Sequence, residues 1–502
     1  VRNIWKNSSP RCLRGSALQQ LQDLRSKFTL DLSVCFWPHA ENSGLSSLYS
    51  AMRSIAEPGC RIVVLAAVGP KRTSSPAPRN VHKNSRTGVR MLRKISKVLA
   101  IVLIGFLILV GPTAFFWIQW MMPANHFPAD IDSQFLAESR AGPDLTARLE
   151  KILIEQRKES GAPSMSAAIS RDGVLLWAGA AGFAAIESGE RASPNTLYGL
   201  GSTSKALTGT LLGRLLDAGV IDLDATVADY APGLPELLRT ITVGQLASHT
   251  GGIRHYSRML TWLPTSHESI SSRHYTSVED GLALFVDDDL KFSPGSDFNY
   301  STFGYSLLGY VMEKASGTDY MSLLDRYINA PLDTDLRLDD ASTDMPDRAT
   351  TYVTAKGRWG PAFPTNSSYK WAGGGIVAKP TDLVQIGQAL MDDAFITTST
   401  RSLLWSPVAV PGSDSNPQNY GIGWRVDIST RTLGENRPVQ VIHHGGTQLG
   451  SVAFWAIYPE LRMSVAVISN TGARAVRDDV QSTAYALIRA VEVANDNPAV
   501  SQ

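Results

Sequence analysis

The run "VLAIVLIGFLILVGPTAFFWI", Val98 to Ile118, constrains the fold of this chain more than any other stretch. It contains no charged side chain. As a helix rising 1.5 Å per residue it would span roughly 30 Å, the thickness of bilayer hydrocarbon. A helix that is apolar all round has no face to offer water, so it belongs in lipid or deep inside a core. Its flanks favour lipid. No acidic residue occurs between Glu57 and Asp130, and Arg86, Arg90, Arg93, Lys94 and Lys97 precede the run. Trp117 and Trp120 stand at its far end, where interfacial aromatics are expected. Positive charge before the span and none just after it predicts a single-pass anchor of the inner (cytoplasmic) membrane, with the following domain on the periplasmic or outer side. No small-x-small cleavage site follows, so the anchor is expected to remain uncleaved.

The run also divides the chain. Residues 1–90 hold all three cysteines, Cys12, Cys35 and Cys60, and show weak periodicity. "MLRKISKVLAIVLIG" from Met91 reads as a natural start: a short basic segment, then an apolar one. The expected organisation is a disordered or mis-assigned extension over 1–90, a basic flank and anchor over 91–121, a linker over 122–143 and one enzyme-sized domain over 144–494. That domain has no cysteine, which removes disulfides and thiol chemistry from it. A net charge of +1 over 502 residues gives no basis for a nucleic-acid partner.

Within the domain, apolar spacing predicts a helix over Leu145 to Glu159, then two strands joined at Asp172-Gly173, a hairpin signal. A second helix carries Leu207, Leu211, Leu212 and Leu215 on one face and ends at Gly219, a C-cap glycine. Residues 220 to 400 read as mostly helical and loop-rich, with a helix from Phe303 to Lys314. Strand-like runs follow at Gly421–Val426, Val439–Ile442, Val452–Ile457 and Met463–Ile468, and a last helix carries Val476, Val480, Ala484, Leu487, Ile488 and Val491. Strands at both ends with helices between predict an α+β fold. One antiparallel sheet from both chain ends is flanked by helices, with a mostly helical insert, behind the N-terminal transmembrane helix.

The second helix opens on "GSTSK", Gly201 to Lys205. A serine hydroxyl is a poor nucleophile at neutral pH and needs a base. A lysine serves if burial and positive neighbours lower its pKa, and Ser202 and Lys205 are one turn apart. The bland alternative is a polar helix start. Ser-x-x-Lys is a short motif, with about two chance matches expected in a chain of this length. A second one, Ser367 to Lys370, is flanked by Pro364, Asn366 and "WAGGG" and reads as loop; only Ser202 opens a periodic helix. Tyr300 precedes the helix at Phe303, where a phenol could shuttle a proton to a leaving group; a half-buried loop tyrosine is the alternative. "IHHGGTQLGS", Ile442 to Ser451, ends a strand in two histidines followed by two glycines. A peptide N–H there could hold an oxyanion, or the stretch is only a turn. Adjacent histidines on a strand point to opposite faces, against shared metal binding. There is no His-Glu-x-x-His, no paired cysteines, no phosphate-cradling loop and no Gly-x-Ser-x-Gly, so no metal or cofactor is expected.

Taken in order, Ser-x-x-Lys, Tyr-Ser-x and His-x-Gly resemble the motifs of the serine beta-lactamase-like superfamily, especially its class C and esterase branch. "TVADYAPGLP", "ITVGQLASHTGGIRHY" and "KWAGGGIVAKPTDLVQIGQALM" agree. "GGIRHY", "YSTFGY" and "SSYKWAGGG" are closer still to an animal mitochondrial member and its bacterial relatives. The likeness covers Leu145 to Val491 and implies a beta-lactamase/transpeptidase-like fold. It implies Ser202 as acylated nucleophile, Lys205 as its base, Tyr300 as proton carrier and His443 at the third motif with Gly445. Backbone N–H groups of Ser202 and Gly446 would form the oxyanion hole. Many members carry Asn where this chain has Thr302, which loses an amide that can donate to a substrate carbonyl and accept from the lysine. The reading is a membrane-anchored serine hydrolase acting through an acyl-enzyme on a small-molecule or peptide substrate. Its alternatives are a penicillin-binding D,D-carboxypeptidase or beta-lactamase, and a non-catalytic scaffold that binds peptide or self-assembles.

Overall fold

The computed structural model describes residues 94–107, 110–111, 114–115, 122–257, 267–340, 342–412, 416–472 and 474–496. The expectations for residues 1–90 lie outside these. The expected span Val98–Ile118 lies partly outside them. Its described pieces, 98–107, 110–111 and 114–115, are helical, and among the described residues no helix is long and apolar enough to cross a membrane.

The central sheet is built from both ends of the domain. The elements used below are β1 (Phe135–Ser139), α1 (Pro143–Ser160), β2 (Ser164–Arg171), β3 (Val174–Ala185), α2 (Ser204–Asp217), α3 (Thr302–Ser316), α4 (Trp371–Gly374), α5 (Pro380–Ala389), β4 (Arg425–Ser429), β5 (Val439–Gln448), β6 (Ser451–Tyr458), β7 (Met463–Ser469) and α6 (Arg474–Asp496). The strands run in the order β4-β5-β6-β7-β2-β3-β1, all neighbours antiparallel, and Glu190–Arg191 pairs with β3 off this path. The α+β fold with an antiparallel sheet is the one expected. Asp172 and Gly173 both take positive φ, 49° and 82°, the conformation a two-residue hairpin needs.

The strands are apolar on both faces because both faces are covered. Along β6, Val452, Phe454, Ala456 and Tyr458 join α1 and α6 in one core, while Ala453, Trp455 and Ile457 join the core of the helical insert. Each large side chain so buried contributes roughly 1.5–3 kcal/mol. The insert core is centred on α2 and α3, which bury Leu207, Leu211, Leu212, Phe303, Leu307 and Leu308 completely.

Four details differ from the sequence reading. The stretch 122–143, expected as a linker, supplies β1, the edge strand beside β3. Ser202 sits in a 3-10 turn, Gly201–Thr203, and α2 proper begins at Ser204. Strand β5 does not stop at Ile442; it runs through both histidines and both glycines to Gln448, because it is hydrogen-bonded to β6 along that whole length. The run at Gly421–Val426 becomes a strand only from Arg425.

Candidate active site

Three elements converge on the start of α2. The small sheet formed by Tyr198–Gly199, Arg337–Leu338 and Ile376–Ala378 holds the chain just before the turn that carries Ser202. Ser204 Oγ accepts from the Ile376 N–H at 3.1 Å, and the Leu200 N–H donates to the Ile376 carbonyl at 3.0 Å. These bonds bring α4, just before Ile376, against α2. On the other side β5 lies against the turn so closely that a Cβ on Gly446 would stand 1.9 Å from the Leu200 carbonyl oxygen. Only glycine permits that approach. From the insert, α3 presents Thr302 and the loop before it presents Tyr300.

Lys205 is fully buried at their meeting point. Its Nζ lies 3.5 Å from Ser202 Oγ, donates to Thr302 Oγ1 at 3.0 Å and donates to the Gly373 carbonyl. It also stands 4.9 Å from the centre of the Tyr300 ring. Burial holds the amine well below its ordinary pKa, and the positive charges of Lys370 and Arg425 push the same way. Burial drives the Tyr300 phenol the other way, up to about 12, opposed by Arg425 and by a hydrogen bond with Ser202. Ser202 and Tyr300 open onto one cleft of about 470 Å³, whose walls include Tyr256, Arg425, His443 and Gly445. The three groups singled out in the sequence are thus together, Ser202 and Tyr300 lining the cleft and Lys205 fully buried next to them. A neutral amine beside a hydroxyl, with a phenol across it, can take and return a proton.

The remaining sequence candidates fall as follows. Thr302 does accept from Lys205, so the hydroxyl keeps that half of what the missing carboxamide would do; it also donates to the Tyr256 phenol oxygen at 3.4 Å. His443 lines the cleft, but its Nε2 is bonded to Asp427 Oδ2 at 2.8 Å and its ring packs on Phe454. Of the adjacent pair it is His444 that stands near Tyr300, ring centres 6.4 Å apart, bonded to the Tyr420 hydroxyl at 3.1 Å. Successive strand residues face opposite ways, so the pair splits between the two sides of β5. Burial leaves His444 and His249 well below their ordinary pKa and brings His255 to about 3, so all three are neutral.

Sequence reasoning passed over Arg425, the Gly373 carbonyl and Lys370. Arg425 follows "GIGW" on the edge strand, and its guanidinium lies 5.5 Å from the Tyr300 ring centre. Nothing in its spacing points there, because the β4–β5 pairing alone brings it across. His249 carries a signal visible only in three dimensions: a non-glycine φ of 65°, with its ring 4.4 Å from that of Tyr300. Among the described residues no group of three or more His, Cys, Asp or Glu side chains could hold a metal ion.

Comparison with known proteins identifies the family. A family model described as Beta-lactamase matches residues 149–490. The serine beta-lactamase-like protein LACTB, mitochondrial, of Homo sapiens is 27% identical over 394 residues, covering 62% of this chain and 71% of that protein. A D-stereospecific amidohydrolase from Streptomyces sp. is similar in structure, with a TM-score of 0.55 and 25% identity over 68% of this chain and 98% of that one. The D-amino acid amidase of Ochrobactrum anthropi SV3 shares the fold at a TM-score of 0.57 and 22% identity, covering 70% of this chain and 99% of that one. The sequence match, spanning every element that builds the cleft, places the chain in the Beta-lactamase family, within the serine beta-lactamase-like hydrolase superfamily.

Proposed function

We propose that the protein is a serine hydrolase that forms a covalent acyl-enzyme on Ser202. Lys205, neutral in its buried setting, takes the proton as Ser202 Oγ attacks a substrate carbonyl. The carbonyl oxygen becomes negative and is held by the N–H groups of Ser202 and Gly446. Tyr300 hands a proton to the departing amine or alcohol, and water then releases the acyl group by the reverse relay. The observation that carries this reading is the 3.5 Å approach of the buried Lys205 Nζ to Ser202 Oγ, which lines one cleft with Tyr300.

The substrate class is a small amide, ester or peptide, including peptides of D-amino acids. The name of the Streptomyces relative, a D-stereospecific amidohydrolase, supports the amide among these. Thr302 provides no amide to grip a substrate carbonyl, which speaks against efficient beta-lactam hydrolysis. We further infer an N-terminal membrane anchor over Val98–Ile118. Its support is the absence of charge, together with the exposure of Val98, Leu99, Ile101 and Val102, each at 59% or more. Reaction of the chain with a fluorophosphonate probe, followed by hydrolysis over a panel of amides, esters and nitrocefin, tests the chemistry. Labelling that survives Ser202→Ala overturns it. Release of the full chain from membranes by carbonate would overturn the anchor.

A further inference from the structure

The residues on either side of Tyr300 are tied to one segment, His249 to His255. The Asn299 N–H donates to the His249 carbonyl at 2.9 Å, and its side-chain amide donates to the Ile253 carbonyl at 2.9 Å. The Ser301 N–H donates to His249 Nδ1 at 3.1 Å, and its hydroxyl to the Arg254 carbonyl at 2.7 Å. The Thr302 N–H donates to His255 Nδ1 at 3.1 Å. Arg254 pins the segment from behind, reaching Glu268 and Asp288.

The first N–H groups of a helix have no partner inside it. In α3 the Ser301 hydroxyl takes the Gly304 N–H at 2.9 Å, and the Thr302 N–H, the first of the helix, is left to His255. An imidazole accepts only through an unprotonated nitrogen, and His255 is neutral. Its ring also lines the cleft and lies 3.8 Å, centre to centre, from that of Tyr256.

Thr302 matters because of where its hydroxyl goes. A neutral amine has two N–H groups and one lone pair. Lys205 Nζ gives one N–H to the Gly373 carbonyl, which can only accept, and the other to Thr302 Oγ1 at 3.0 Å. The lone pair is then left for the Ser202 hydroxyl, 3.5 Å away. The Thr302 hydroxyl proton points elsewhere, to the Tyr256 oxygen at 3.4 Å. Thr302 is fully buried with its methyl against α4, where a Cβ on Gly373 would stand 2.7 Å from Thr302 Cγ2. The side chain has no room to turn, so the hydroxyl goes where the Thr302 backbone goes.

We propose that His255 is a positioning residue for the base: through the Thr302 N–H it holds the Thr302 hydroxyl on Lys205 Nζ, which turns the lone pair of the amine to Ser202. The role rests on reading Ser202 and Lys205 as nucleophile and base, and adds the group that aims the base.

The test is the second-order rate of fluorophosphonate labelling at Ser202 in the full chain, with thermal melts beside it. Fluoride departs as an anion, so this rate reports attack by Ser202 and not the proton carried by Tyr300. His255→Phe keeps a ring on Tyr256 and removes the acceptor; labelling falls about tenfold or more. His255→Asn puts an acceptor back where Nδ1 stood and labels near the parental rate. The deciding readout is coupling with Thr302→Val, which keeps the shape and deletes the hydroxyl. In that background His255→Phe brings no further loss. An equal loss in both backgrounds, or an Asn variant as slow as the Phe variant, would reduce His255 to a structural cap and overturn the proposal. His255→Gln, whose acceptor reaches the Nε2 position and leaves the Thr302 N–H without a partner, serves if the Phe variant fails to fold. A parent that is not labelled at Ser202 overturns the acyl-enzyme reading instead, so the two failures are distinguishable.

Discussion

Gly446→Ala is the substitution that most sharply tests how β5 meets the Gly201–Thr203 turn. The added Cβ would stand 1.9 Å from the Leu200 carbonyl oxygen, 2.7 Å from Thr203 N and 2.8 Å from Thr203 Oγ1. The two nearest of these neighbours are backbone, so rotating the Thr203 side chain aside leaves the clash in place. Restoring ordinary contact to Leu200 requires the strand and turn to part by about 1.5 Å. That displacement carries the Gly446 N–H away from the position an oxyanion would take. Loss of one such donor costs about 10²–10³-fold in rate, and overpacking of this kind costs about 1–3 kcal/mol of stability. Gly445→Ala is the control. Its Cβ would meet only Phe454 Cδ2 at 3.7 Å and Ala453 O at 3.9 Å, so packing there is undisturbed. Single-turnover acylation by an activated ester, read beside thermal melts, separates the two. Both glycine variants acylating and melting like the parent would refute the close seating of β5 on the turn.

Other consequences follow from the same geometry. The acylation rate should rise with pH through the titration of Lys205 and level off, because only the neutral amine accepts the proton; a rate that falls over that range would be inconsistent. Tyr300→Phe keeps the ring beneath Lys205 Nζ and removes only the hydroxyl, and should cost about 10²–10⁴-fold in turnover with little change in melting temperature, measured on an amide substrate. Arg254→Ala should cost about 3–5 kcal/mol in a urea titration. It removes the guanidinium that reaches Glu268 at 2.8 and 2.9 Å, and Glu268 is only 1% exposed. Leu211→Ala, in the insert core with no exposed surface, should lower stability by about 2–5 kcal/mol in the same assay while leaving Ser202 labelling intact under native conditions.

What could be read from the residues was whatever rests on local periodicity or on one turn of helix. The β2–β3 hairpin follows from Asp172-Gly173, the length of α2 from its leucines and Gly219, and the Ser202–Lys205 pairing from a spacing of three. What stayed hidden depends on pairing between distant segments. Phe135–Ser139 has no alternation that marks a strand, and it becomes one because β3 offers a free edge. The glycines of β5 argue for a turn locally, yet β6 pairs with them through Gln448. Gly373 lies 168 residues after Lys205 in sequence, and α4 brings its carbonyl to the amine by a fold of the backbone that no local pattern announces. The two histidines show the limit from the other side. Alternation along a strand says that they face apart, but the register with β4 and β6 decides which of them meets Tyr300.

The most direct test of the central claim is mass spectrometry of the intact and digested protein after reaction with a fluorophosphonate. The account predicts a single adduct on the peptide carrying Ser202, lost in Ser202→Ala and strongly slowed in Lys205→Met. An adduct on any other serine, such as Ser367, or one unchanged in the Lys205 variant, would contradict it.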